Sequence, residues 1–162
     1  ATLLGIGDEK ILKGIKSFKG VEGRYEQFVS SDGNSLIISD CYNASPESMR
    51  AAILAFSKID ARKKIAVLGD MLELGEKEDF WHRQVGRMIK KVKGIDYLIL
   101  VGNKAKSIAK TVHLQLPVKI VEKWQDAKKY LDELMTKDSA VLLKSSRAVG
   151  STNLAKEFRR QV

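Results

Sequence analysis

Short runs rich in aliphatic and β-branched residues recur along the chain: "KIAVLG" from Lys64, "DYLILVG" from Asp96, "VKIV" from Val118 and "SAVLLK" from Ser139. Such runs are expected of strands covered on both faces. Between them lie segments of helical period. Met49, Ile53 and Phe56 share one face near residues 46–59, and Val85, Met88 and Val92 share another in the segment from Glu78. Ile108 with Val112 and Leu131 with Leu134 repeat the pattern. Strand followed by helix, repeated, predicts a parallel sheet. Ahead of this series "RYEQFVSSDGNSLIIS" reads as two strands turning at Asp32-Gly33, which makes the first antiparallel to the second. A last helix is expected from near Thr152, burying Leu154 and Phe158. The class is therefore α/β, a three-layer domain around a mostly parallel sheet of about six strands with one antiparallel edge strand.

The beginning of the chain departs from this plan. "ATLLGIGDEKILKGIKSFKGVEGR" carries a short helix with Ile11, Ile15 and Phe18, then a glycine-punctuated stretch from Gly20 to Gly23 that reads as a linker. Residues 1–20 are expected to belong to a different unit, and residues 21–162 to form the domain.

Composition narrows the function classes. A chain of 162 residues suits one domain, burying roughly two-thirds of its unfolded surface. With 44% hydrophobic and 30% charged residues it is neither disordered nor fibrous. No apolar run approaches the roughly 20 residues of a membrane span. Asp8 and Glu9 come too early for a signal peptide, so a cytoplasmic setting without membrane contact is expected. The single cysteine, Cys41, has no disulfide partner, and His82 and His113 lie too far apart for metal-ligand spacing. The formal charge of +9 raises nucleic acid as a partner. The cations, however, are spread over Lys90 and Lys91, Lys104 and Lys110, Lys128 and Lys129, and Arg159 and Arg160, with no aromatic stacking motif among them. Solvated helix faces account for this pattern, and no nucleic-acid partner is expected.

In an open α/β sheet ligands bind at the carboxyl ends of the strands, so the residues just after each run carry the chemistry. The first corner is "DCYNASP". Ser45 and Pro46 suit helix initiation. Asp40 must find donors at the mouth of a buried strand. Neighbouring ribose hydroxyls would supply them, with Asn43 offering its amide to a base edge; an Asx-turn built by Asp40 and Asn43 is the alternative. The second corner, "VLGDMLELGE", leaves its strand through Gly69 and Asp70 into a loop longer than most βα connections. The third, "VLLKSSRAVG", gathers Lys144, Ser145, Ser146 and Arg147, a composition suited to phosphate or carboxylate, although a surface loop of a basic protein can produce it too. No G-x-G-x-x-G follows a strand and no G-x-x-x-x-G-K-[ST] occurs anywhere.

In this order the corners resemble the C-terminal domain of the Mur ligase family. "GVEGR" is similar to the family's entry into that domain, "DCYNASPESMRAA" to its D-S-Y-N-A-N-P-x-S-M-x-A-A segment, "KIAVLGDMLELGE" to a near-identical family stretch, and "LLKSSR" to V-K-G-S-R. His82 also falls where the family has a histidine, and a core or capping role suits it best. Departures occur at Ser39, Cys41, Ser45, Ser145 and Thr152, where the family commonly has Asp, Ser, Asn, Gly and Glu. Cys41 is best read as a small replacement for serine.

The resemblance implies a Rossmann-like domain and, within the family, the branch that adds D-Ala-D-Ala to UDP-MurNAc-tripeptide by way of an acyl phosphate. It implies that Asp40 holds the ribose of ATP, that Asn43 and Pro46 position the adenosine, and that Arg24 reaches the nucleotide from the hinge. Gly69, Asp70, Leu72, Leu74, Lys144, Ser146 and Arg147 are the implied dipeptide-binding set. ATP and Mg would be bound mainly by a central domain whose phosphate loop is missing here, with residues 1–20 as that domain's tail. The chain then carries no catalytic residue and no metal site of its own, is expected to be inactive alone, and belongs to a monomeric enzyme. A folylpolyglutamate synthetase domain is the alternative within the superfamily, although a histidine is usual there in place of Asn43. A stand-alone nucleotide-binding module is the alternative outside it.

Overall fold

The computed structural model describes residues 2–18, 20–112 and 116–159. His113 and Arg160, named in the sequence reading, lie outside them, as do Ala1 and Lys19. The strands are β1 (Glu26–Val29), β2 (Ser35–Asp40), β3 (Lys63–Gly69), β4 (Tyr97–Val101), β5 (Val118–Val121) and β6 (Ser139–Lys144). They form one six-stranded sheet in the order β1-β2-β6-β3-β4-β5. Only β1 runs antiparallel, at the edge, joined to β2 through the expected turn. Gly33 supplies the left-handed residue there (φ 76°), and the Asp32 carboxylate accepts from the Ser30 hydroxyl and the Asn34 N–H. Those bonds, the Ser30 hydroxyl first, hold the Asp32 carboxyl below the usual range. The remaining neighbours are parallel.

The helices are α1 (Asp8–Ser17), α2 (Pro46–Ser57), α3 (Glu78–Ile89), α4 (Lys106–Val112), α5 (Trp124–Leu134) and α6 (Ser151–Glu157). Period-two alternation in the buried strands feeds both faces of the sheet. Ala66 and Leu68 of β3 pack with Met49, Ile53 and Phe56 of α2, Val85 and Ile89 of α3, and Ile108 and Val112 of α4. Ile65 and Val67, one residue out of step, pack with Ala127 and Leu131 of α5, with Leu154 and Ala155 of α6, and with Phe158 just after it. Three layers result, with the sheet as the shared core. The apolar face of α1 finds no such cover. No residue of that helix is buried, and Leu12, Ile15 and Phe18 beside it are exposed. No helix among the described residues is long and apolar enough to cross a membrane.

Local signals place α2 where the first corner needs it. The Ser45 hydroxyl accepts from the Ser48 N–H at 3.2 Å, the Ser48 hydroxyl accepts from the Ser45 N–H at 2.9 Å, and Pro46 opens the first turn. The capping box satisfies helix-end donors that would otherwise face a partly buried corner. On the same side of the sheet α3 and α4 pack closely through Gly86. A Cβ there would lie 1.9 Å from the Thr111 hydroxyl and 2.6 Å from the Ile108 carbonyl oxygen.

Gly86→Ala would gain helix propensity but must push α3 and α4 apart against a backbone atom. A net destabilisation of about 1–3 kcal/mol is expected, as for other overpacked cores. A lower denaturant midpoint at unchanged slope is the result to look for, and an unchanged midpoint would show that the two helices slide freely.

Candidate functional site at the carboxyl ends of β2, β6 and β3

Because β6 is inserted between β2 and β3, Lys144 lies opposite both Asp40 and Leu68 in the sheet register. Its side chain is 1% exposed. The ammonium donates to Asp40 Oδ2 at 2.7 Å and to the Asn43 carbonyl at 3.1 Å. The other Asp40 oxygen accepts the Tyr25 N–H at 3.1 Å. The donors that a carboxylate at this strand end requires thus come from the protein itself. Burial, and secondly the Asp40 charge, push the Tyr25 hydroxyl up from its ordinary value. Tyr25 holds a left-handed backbone (φ 51°), rare for a side chain of its size, and Gly23 two residues earlier does the same (φ 71°). The turn over residues 23–25 is therefore folded tightly onto the first corner. Tyr42 N–H closes it by donating to the Gly23 carbonyl at 3.0 Å.

The second and third corners are stitched into one unit. Ser146 N–H donates to the Asp70 carbonyl at 3.0 Å, and Leu72 N–H donates to the Ser146 hydroxyl at 3.0 Å. Asp70 Oδ1 accepts the N–H groups of Lys104 at 2.9 Å and Ala105 at 2.7 Å, tying the end of β3 to the turn that starts α4. Gly69 and Gly102 make room for this. A Cβ on Gly69 would lie 2.6 Å from Ser145 Cβ, and one on Gly102 would lie 2.6 Å from the Asp70 carboxylate. Leu74 is half-buried and packs against one face of the core, whereas Leu72, also half-buried, lies outside both core clusters.

His82 answers the question that its position in the sequence raised. It is fully buried, its Nε2 accepts the Met71 N–H at 3.0 Å, and its Nδ1 donates to the Glu78 carbonyl at 2.7 Å. This pairing selects the tautomer protonated at Nδ1 and pins the start of the second corner to α3. Cys41 is buried too, with its thiol donating to the Leu143 carbonyl at 3.2 Å. Burial, as the first cause, pushes that thiol up to about 12, so it packs as a small apolar residue.

Against this frame stand side chains that face solvent: Arg24, Tyr42, Asn43 and Arg147 are all exposed. Pro46 is half-buried at the start of α2, and the Asn43 side-chain oxygen accepts the Ala44 N–H at 2.8 Å, leaving its NH₂ outward. The Arg24 guanidinium lies 4.1 Å from the Tyr42 ring centroid and that of Arg147 lies 5.9 Å from it. Neither arginine belongs to an ion pair among the described residues. Two unpaired guanidiniums beside one strand-end cluster form a surface suited to oxyanions. The structure so brings Arg24, Asp40, Asn43, Lys144 and Arg147 together. Gly69, Asp70 and Ser146 form the adjoining wall, and Leu74 turns inward.

Residues that sequence reasoning passed over are Tyr25, Tyr42, Lys104 and Gly102. The run "LILVGNKA" carried the signal for the last two, since a glycine after a buried strand marks a corner like the others. No group of three or more His, Cys, Asp or Glu side chains among the described residues could hold a metal ion. With Asp40 and Asp70 committed to protein donors, the described residues at these corners do not fit a resident magnesium.

A mostly parallel sheet with cationic side chains at its carboxyl ends defines an α/β domain of the doubly wound kind, and residues 23–147 match the family model described as Mur ligase, glutamate ligase domain. The chain belongs to that family. The UDP-N-acetylmuramoyl-tripeptide--D-alanyl-D-alanine ligase of Bacillus subtilis (strain 168) is 34% identical over 158 residues, which are 95% of this chain and 34% of that protein. Among solved structures, a MurF crystal structure from Acinetobacter baumannii superposes with a TM-score of 0.84 at 28% identity, covering 96% of this chain and 34% of that one. MurF from Thermotoga maritima, solved in complex with ADP, gives 0.69 at 28% identity, covering 92% and 35%. The chain thus spans about a third of the length of the relatives it matches.

The buried ion pair has a measurable consequence. Asp40→Ala leaves the Lys144 ammonium buried with only a carbonyl for company, and is expected to cost about 3–5 kcal/mol. Adding Lys144→Met should recover most of that loss, since an apolar replacement of both partners removes the stranded charge. Equal denaturant midpoints for the single variant and the parent would show that Lys144 escapes to solvent.

Proposed function

We propose that the chain is the C-terminal domain of an ATP-dependent ligase that joins D-Ala-D-Ala to UDP-MurNAc-tripeptide, acting as a cytoplasmic monomer. The observation that carries this reading is the convergence of two unpaired guanidiniums, Arg24 and Arg147, on the corner built by Asp40 and Lys144. The names of the relatives support the choice of substrates within the family. Residues 1–20 would be the tail of a central ATPase domain, which is consistent with the uncovered apolar residues around α1. That domain would hold the phosphate loop and magnesium.

The reaction is amide-bond formation. The γ-phosphoryl group of ATP passes to the tripeptide carboxylate, giving ADP and an acyl phosphate. The dipeptide amine then attacks the acyl carbon and phosphate leaves. Positioning and charge stabilisation do most of the work in such a transfer. On this side of the cleft, Arg24 and the outward amide of Asn43 meet the nucleotide, and Pro46 shapes the floor beneath the base. Asp40 accepts from the ribose with whatever lone-pair capacity Lys144 and Tyr25 leave it. Lys144 acts through Asp40, by fixing the carboxylate. Arg147 offers a planar fork to the dipeptide carboxylate, and the wall formed by Gly69, Asp70, Leu72 and Ser146 orients the amine. Closure of the domains would exclude water from the acyl phosphate.

Two assays test this. ATP-dependent ligation with D-Ala-D-Ala should be absent with the 162-residue chain and present with the full-length enzyme; turnover by the short chain would overturn the domain assignment. In the full-length enzyme Arg147→Lys keeps the charge and loses the bidentate geometry. The KM for D-Ala-D-Ala should rise roughly tenfold, about 1.4 kcal/mol, while that for ATP changes little. A rise confined to ATP would move Arg147 to the phosphates.

A further inference from the structure

Tyr42 stands between the residues proposed to hold the two ligands, and nothing so far gives its side chain a task. The residue is 46% exposed, yet its backbone is fastened to the turn ahead of β1 through the Gly23 carbonyl. Arg24 comes to the ring from that turn and Arg147 from the loop after β6, at 4.1 and 5.9 Å from the centroid. Two guanidiniums without carboxylate partners would ordinarily move apart. The negative faces of one aromatic ring attract both. A guanidinium that stacks through its face keeps its in-plane N–H groups free, and these are the donors that oxyanions use. Stacking also restricts a long side chain before any ligand arrives, so less freedom is lost on binding.

We infer that Tyr42 is a positioning residue that holds Arg24 and Arg147 in register, so that the nucleotide and the dipeptide carboxylate are received by one preorganised unit. This rests on the assignment of those arginines under the proposed function. Tyr42 itself need touch neither ligand, and its hydroxyl has no part in the argument.

The test uses the full-length ligase with ATP and D-Ala-D-Ala as probes. Tyr42→Leu should raise the KM for each by roughly twofold to fivefold, the range for the loss of one exposed cation–π contact. Tyr42→Phe, which keeps the ring, should leave both near the parent values. In an Arg147→Gln background the dipeptide effect of Tyr42→Leu should vanish, and in an Arg24→Gln background the ATP effect should vanish. A merely structural tyrosine would not give that pattern. The inference is overturned if Tyr42→Leu moves neither KM, if Tyr42→Phe falls with it, or if the effects persist without the arginines. Should Arg24→Gln and Arg147→Gln alone leave both constants unchanged, the site assignment fails first and takes the inference with it.

Discussion

The ion pair between buried Lys144 and half-buried Asp40 is the constraint around which this end of the sheet is organised. Moving two ions out of water costs several kcal/mol each, and mutual attraction offsets that only with good geometry and extra hydrogen bonds. Here the pair lies at adjacent positions of β2 and β6, with the Asn43 carbonyl and the Tyr25 N–H completing the set. Each added partner belongs to a different segment: Tyr25 to the turn ahead of β1, Asn43 to the entry of α2. The cost of burying one ammonium is thus met only when that turn, the first corner and the two strands are all in place. A one-residue slip of β6 would carry Lys144 to the opposite face of the sheet and leave the carboxylate alone. This makes the pair a register lock for the strand that sits in the middle of the sheet.

A division of labour follows from that lock. Polar side chains at the strand ends fall into a frame, whose hydrogen bonds are spent on protein groups, and a set of exposed heads that keep N–H donors or an aromatic face open to solvent. Asp70, Ser146, Lys144 and His82 belong to the frame, each joining segments distant in sequence. Arg24, Tyr42, Asn43 and Arg147 are the heads. Ligand recognition gains from such an arrangement because groups already held in place reorganise little on binding. It also explains why a polar residue at a strand end is an ambiguous signal in sequence. Asp40 and Arg147 look alike as candidates, yet one is committed to the protein and the other is not.

That ambiguity marks the limit of what sequence could tell. The strands, the helices and the antiparallel edge were legible, because period two, period 3.6 and the Asp32-Gly33 turn are local properties. The corners were legible for the same reason: each follows directly from the end of a strand. The insertion of β6 between β2 and β3 was not, since no local pattern encodes strand order. Without that order Lys144 reads as a ligand for substrate, and its burial against Asp40 stays hidden. Tyr42 escaped notice because its contacts come from Arg24 and Arg147, which meet only in the folded chain. Tyr25 escaped because its contribution is a backbone N–H, to which the side chain gives no clue.

The positions at which the chain departs from the family pattern sort by the same division. Ser39, Cys41 and Ser145 are buried, Ser45 is the cap of α2, and Thr152 is half-buried in the first turn of α6. None is among the exposed heads. Two of the departures have a direct physical reason: serine caps a helix as well as asparagine does, and a buried cysteine fills a small apolar site. At the third corner, a side chain at 145 is tolerated because Gly69 opposite has none, with only 2.6 Å available to a Cβ. The pair is small on one side so that it can be larger on the other.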